Sequence, residues 1–94
     1  MYIYKMNISF DPDKRQKTLD ERGLDFLDCS GLWDGIHFTF EDTRMNYGEV
    51  RYISAGYIDD SILVIVWTWR SQQRRIISMR KANEREQSHF KQYL

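Results

Sequence analysis

Six consecutive apolar residues, Ile62-Leu63-Val64-Ile65-Val66-Trp67, constrain this chain more than any other feature. Successive side chains of a strand point to opposite faces. A run with no polar interruption therefore describes a strand buried on both faces. Downstream, Arg74-Arg75-Ile76-Ile77-Ser78-Met79-Arg80-Lys81 mixes apolar and polar positions and ends in two adjacent cations. It reads as a second strand that brings guanidinium groups to a sheet end, where a small fold can grip phosphate.

Ninety-four residues are expected to form one domain, 1–94, near the lower end of what a single core stabilises. Fourteen basic and fourteen acidic side chains cancel overall but are unevenly placed. Seven Lys and Arg stand against twelve Asp and Glu before Trp67, a balance of −5; seven stand against two from Trp67 onward, a balance of +5. Such asymmetry points to a polyanion for the basic end, and equally to self-association or an acidic protein partner. The single cysteine, Cys29, excludes an internal disulfide and fits a reducing cytosol. The mixed first ten residues show no signal peptide, and the apolar run falls far short of the about 20 residues of a membrane helix. The expectation is a soluble cytoplasmic protein.

Tyr2, Tyr4, Met6, Ile8 and Phe10 alternate with Lys5, Asn7 and Ser9, the period of a first strand with one buried face. Asp11 then caps a helix with Pro12 in its first position, and Gly23 ends it. Asp25 is expected to cap a shorter second helix through Phe26 and Leu27, stopped by Gly31. Strands follow around Ile36–Phe40, Val50–Tyr57, Ile62–Trp69 and Arg74–Met79, with turns at Asp59-Asp60 and Ser71-Gln72-Gln73. Asn83 and Glu86 form a capping-box pattern that starts a last helix. The expected order is β-α-α-β-β-β-β-α: an α+β fold with an antiparallel sheet, two N-terminal helices and one C-terminal helix. Helices of so small a fold are expected to cover one sheet face, leaving the other face of the Ile62 strand for a protein partner.

Four segments occur in a telling order: Phe10-Asp11-Pro12-Asp13-Lys14, then Glu21-Arg22-Gly23-Leu24-Asp25-Phe26, then Gly48-Glu49-Val50-Arg51-Tyr52, then Arg75-Ile76-Ile77-Ser78-Met79-Arg80-Lys81-Ala82-Asn83-Glu84-Arg85-Glu86. In these the chain resembles the BrnT family of bacterial toxins nearly end to end. That family has an apolar or aromatic residue before Asp-Pro-x-Lys, and a first helix ending Lys-His-Gly before an apolar residue, Asp or Ser, and Phe. A Gly-Glu-x-Arg-aromatic segment follows, and later the specific stretch Arg-Ile-Ile-Ser-Ala-Arg-Lys-Ala-Thr-x-x-Glu. Met1 to Lys5 read as an extension. One departure stands out: Arg22 replaces the family's His, so any acid–base role of that His is carried differently here. The resemblance implies a RelE-like fold and a metal-independent endoribonuclease that cleaves mRNA, blocks translation and needs no cofactor. It further implies neutralisation by a ribbon-helix-helix antitoxin of the BrnA kind. The two would form a dimer or heterotetramer that represses its own operon, with operator DNA bound only through that complex.

Metal-free RNA cleavage needs a base for the ribose 2′-OH, cations for the pentavalent transition state and an acid for the leaving oxygen. Cations are plentiful, and the general base stays unassigned. Arg80 and Lys81 are the first candidates, because a strand hands over to a helix N-terminus there. Arg75 matches the family stretch, whereas Arg74 is read as surface. Arg51 either joins this site or pairs with Glu49. The expected catalytic set is Arg51, Arg75, Arg80 and Lys81. Tyr52 is a candidate RNA contact through base stacking, with a core position as the plainer alternative, and Lys14 is a second candidate RNA contact. Glu86 is assigned to the cap rather than to catalysis. His37 and His89 have suitable chemistry but match no motif. One cysteine and two histidines show no metal-ligand spacing. The rival reading is an inert binding module that keeps only the antitoxin- and operator-binding role.

Overall fold

In the computed structural model, which describes residues 7–94, the apolar run lies within a ten-residue strand. Five strands build one sheet: β1 Ile8–Ser9, β2 His37–Glu41, β3 Tyr52–Ile58, β4 Ser61–Arg70 and β5 Gln73–Lys81, in the order β1-β5-β4-β3-β2. The four longer strands are antiparallel neighbours. β1 runs parallel to β5, with Ile8 opposite Arg74 and Ser9 opposite Arg75. The sheet is therefore mixed, which corrects the antiparallel expectation. Two strands far apart in sequence have no hairpin to fix their direction. Positions Tyr2 to Met6 of the expected first strand, and the extension Met1 to Lys5, lie outside the described residues.

Three helices complete the α+β fold: α1 Pro12–Arg22, α2 Ser30–Asp34 and α3 Glu84–Phe90. The Asp11 carboxylate accepts the Asp13 N–H at 2.9 Å, and Gly23, at φ 68°, takes the left-handed turn that ends α1. Asp25 caps only a single 3-10 turn, Phe26–Asp28. Arg15 holds Asp25 through two hydrogen bonds of 2.8 Å, tying α1 to that turn. Gly31 does not stop the second helix, as expected from sequence, but lies inside α2, which gives way at Gly35. A glycine ends a helix by adopting positive φ, and Gly31 is not among the positive-φ glycines. At α3 the capping box is complete: Glu86 N–H donates to Asn83 Oδ1 at 2.8 Å, and Asn83 N–H to Glu86 Oε1 at 3.0 Å.

β4 is buried on both faces, and alternate residues serve separate cores. Leu63, Ile65 and Trp67 pack with Phe26, Cys29, Leu32, Ile76 and Met79, under the 3-10 turn and α2. Ile62 and Val64 pack with Ile53, Ala55, Ala82 and Phe90, the last from α3. The expectation of a protein partner over the second face is thereby corrected. The helices divide between the two sides instead of sharing one. Gly56 permits close approach of β2 to β3, since a Cβ there would sit 2.8 Å from the His37 Cβ. Among the described residues, no helix is long and apolar enough to cross a membrane.

The β4–β5 ladder carries one irregularity that places the cations. Arg75 stands opposite Thr68 and Arg80 opposite Val64, so four steps on β4 match five on β5. Ile77 is the extra residue, between Ile76 opposite Trp67 and Ser78 opposite Val66. This β-bulge turns Arg75 and Arg80 toward the same face, although odd spacing in a regular strand would separate them.

Candidate nucleic-acid interface

Five polar residues from four parts of the chain converge on a cavity of about 180 Å³: Asp11, Lys14 of α1, Arg51 beside β3, Arg70 of β4 and Arg75 of β5, with Ile77. A second cavity of about 200 Å³ continues along α1 and includes Lys17, Glu21 and Arg22. Lys14 and Ile77 line both. Together they make a groove between α1 and β5 bearing six cations, Arg70, Arg51, Arg75, Lys14, Lys17 and Arg22. The bulged Ile77 forms part of its floor.

The loop between β2 and β3 fixes Arg51. Asp42, buried, accepts from Arg44 Nε at 2.8 Å and Nη2 at 2.7 Å and from Tyr47 O–H at 3.0 Å. The Arg44 guanidinium, foremost, holds the Asp42 carboxyl well below the usual carboxylate range. Tyr47, anchored in this way, places its ring 4.2 Å from the Arg51 guanidinium, a cation–π contact. From β4, Thr68 donates its hydroxyl to the Val50 carbonyl at 2.6 Å, and Asp42 N–H donates to Arg51 O at 2.8 Å. The backbone on either side of Arg51 is thus pinned.

Glu49 is the carboxylate that touches this cation group directly. It accepts from Arg51 Nε at 3.2 Å and from Arg70 Nη2 at 3.3 Å. Partial burial pushes its pKa upward, and the hydrogen bonds from Arg51 and Arg70 outweigh that to hold it below the ordinary glutamate value. The carboxylate is ionised at neutral pH. Both bonds are long for charge-assisted contacts, which favour about 2.7–2.9 Å, so either arginine can exchange this partner for phosphate. Sequence reading treated Glu49 only as a partner for Arg51; the Gly-Glu-x-Arg spacing was the available signal.

Three of the expected residues, Arg51, Arg75 and Lys14, come together here. Arg80 does not line the groove: its guanidinium grips Glu86 at 2.7 and 2.8 Å. At the helix start beside it, the capping box takes up the Asn83 and Glu86 amides. Lys81 lines two cavities at the opposite end of β5, one with Gln87 and Lys91, the other with Gly23 and Asp28. Tyr52 stacks on Trp67 with ring centroids 4.9 Å apart and packs against the core. His37 and His89 are absent from the groove lining; His37 contacts Gly35 O at 2.8 Å.

Arg22 Nη1 donates to Met79 O at 2.9 Å, lashing the end of α1 to β5. Burial, foremost, pushes the Cys29 thiol up to about 12, so it is no nucleophile at neutral pH. Among the described residues, no group of three or more His, Cys, Asp or Glu side chains is placed to hold a metal ion. Arg74, read from sequence as surface, is instead set among three indoles.

The fold is α+β, and its groove is walled by arginine and lysine, side chains whose charge and geometry suit phosphate. Residues 10–86 match a family model described as a ribonuclease toxin, BrnT, of type II toxin–antitoxin systems, and the chain belongs to that family. Membership makes it a ribonuclease toxin with an antitoxin partner. A search of curated proteins found no match.

Proposed function

We propose that this chain is an mRNA-cleaving endoribonuclease, RelE-like in architecture, working in the groove between α1 and β5. The observation that carries the reading is the convergence of Lys14, Arg51, Arg70 and Arg75 on one cavity. Phosphate enters by taking Arg51 and Arg70 from Glu49. The freed Glu49 carboxylate accepts the ribose 2′-OH proton as that oxygen bonds to phosphorus and the bond to the 5′-oxygen breaks. Arginine does not give up a proton in proteins, so among the four cations Lys14 is assigned to protonate the leaving oxygen. Arg51, Arg70 and Arg75 hold the charge on the phosphorane. A ribbon-helix-helix antitoxin of the BrnA kind is the proposed neutralising partner.

The test is controlled expression with growth and total mRNA followed over time. Growth arrest with RNA fragmentation is expected, relieved by the antitoxin gene and lost in Arg75→Ala. Normal growth with folded protein present would replace this reading with that of a non-catalytic repressor subunit.

A further inference from the structure

The end of the sheet that presents Arg70 and Arg75 also presents a second, differently built surface. The last three rungs of the β4–β5 ladder pair Thr68 with Arg75, Trp69 with Arg74, and Arg70 with Gln73. Alternation sends Arg75 and Arg70 to one face and Trp69 with Arg74 to the other. There the Arg74 guanidinium lies 4.4 Å from the Trp33 ring centroid, 4.8 Å from Trp67 and 5.1 Å from Trp69. Its Nε is buried and has no hydrogen-bond partner among the described residues. Burial is the influence that acts on this group, lowering its pKa, and no acid among the described residues balances its charge.

Trp69 is the outer wall of the cluster. It meets Trp67 edge-on, with centroids 5.0 Å apart at 90°, and 51% of its surface is exposed. The inner indoles are fixed from below: Trp33 and Trp67 both donate N–H to the buried Ser54 hydroxyl, at 3.1 and 2.8 Å. An open indole packed on a fixed one, beside an unneutralised guanidinium, suits a flat aromatic ring attached to an anion, which describes a nucleotide.

We propose that Trp69 and Arg74 form a base-stacking subsite for single-stranded RNA, occupied by a nucleotide next to the phosphate held by Arg51, Arg70 and Arg75. The RNA passes over the Ser71-Gln72 turn, with its backbone on the arginine face and one base against Trp69. This rests on the groove being an RNA site, and it adds a position where the base is gripped without being identified by its hydrogen-bonding edge. Every base offers a π-face, so the subsite recognises unpaired RNA and tolerates sequence.

The test uses the full chain and two 2′-O-methyl probes of equal length, uncleavable by 2′-OH attack, one bearing bases and one abasic, read by fluorescence anisotropy. Wild-type protein should bind the base-bearing probe about tenfold more tightly. Trp69→Leu should erase that difference and leave abasic binding unchanged, while Trp69→Phe, keeping an aromatic face, should retain most of it. Arg75→Ala should weaken both probes alike. Wild-type behaviour of Trp69→Leu, with Arg75→Ala still impaired, would overturn the subsite and leave the groove reading intact. Unchanged RNA binding but lost antitoxin binding in Trp69→Leu would also overturn it, assigning this surface to a protein. Failure of the wild type to bind either probe would remove both readings.

Discussion

Glu86 serves Arg80 and Asn83 at once: it accepts two hydrogen bonds from the Arg80 guanidinium, at 2.7 and 2.8 Å, and one from the Asn83 amide at 3.0 Å. The strand-to-helix junction is therefore a closed polar unit. Loss of Glu86 breaks an ion pair and one half of a helix cap. Glu86→Ala is expected to cost about 1–2 kcal/mol, or roughly 4–15 °C in melting temperature for a chain of this size. Arg80→Ala leaves the cap in place and should cost about 1 kcal/mol or less, with RNA cleavage largely retained. Thermal melts and cleavage assays on both variants check this; a hundredfold cleavage loss in Arg80→Ala at unchanged stability would return Arg80 to the active site.

The same carboxylate gives stability a pH dependence. The Arg80 hydrogen bonds, foremost, lower Glu86 to about 2, and Arg44 lowers Asp42. A group that binds its proton less tightly when folded contributes fully above its unfolded pKa, near 4 for carboxylates. That contribution fades as pH falls toward the folded value. Denaturant midpoints should stay level above about pH 5 and drop between about pH 4.5 and 2. Glu86→Gln should flatten part of the drop; an unchanged acid limb would refute Glu86 as a source.

In the groove, Arg51→Ala and Arg75→Ala are each expected to reduce cleavage by about 10²–10³-fold, the scale for a positioned transition-state donor. Glu49→Gln should reduce it by about 10²–10⁴-fold and also flatten the acid side of the pH–rate profile, which a purely structural residue would not do.

In the proposed mechanism Tyr47 acts through Arg51, whose guanidinium its ring supports at 4.2 Å. Tyr47→Phe keeps the ring under the guanidinium and should cleave at nearly the wild-type rate. Tyr47→Ala should lose about tenfold, as an unsupported Arg51 is misplaced. Equal rates in the two variants would mean that the ring does not position Arg51.

Ser54 is fully buried and serves two indoles. With both lone pairs engaged by the N–H groups of Trp33 and Trp67, its own proton goes to Thr39 Oγ1, 2.7 Å away. Ser54→Ala leaves two indole donors unpaired and should destabilise the chain by about 2–4 kcal/mol. Near-ultraviolet circular dichroism would report the loosened indoles alongside the melt.

Much of the architecture was legible because local signals agreed. Asp11-Pro12 with Gly23 bounded α1, Asn83 with Glu86 bounded α3, and the unbroken run at Ile62 marked a strand buried on both sides. What escaped is non-local. The parallel pairing of β1 depends on residues more than sixty positions apart, and Gly31 resembles a helix stop until its backbone angles are known. Of the residues lining the proposed site, Arg51, Arg75 and Lys14 stand in family motifs, but Arg70 does not, since only the folded ladder sets it beside Arg75. Arg80 looked like an anion ligand because charge is visible in a sequence and its neutralisation by Glu86 is not; Lys81 did because only the fold sets it at the end of β5 away from the groove. Arg74 looked like surface because the indoles around it come from α2 and β4.

The bulge at Ile77 makes chain length itself a functional quantity. Five steps along β5 separate Arg75 from Arg80, where β4 takes four between Thr68 and Val64. One residue inserted in β4 between Val66 and Trp67 would give Ile77 a partner, change no charge and regularise the ladder, yet it would send Arg75 and Arg80 to opposite sides of the sheet. Either the groove would lose its arginine or α3 would lose its anchor. Substitution at Ile77 is a question of side-chain fit, but insertion opposite it is a frameshift in space.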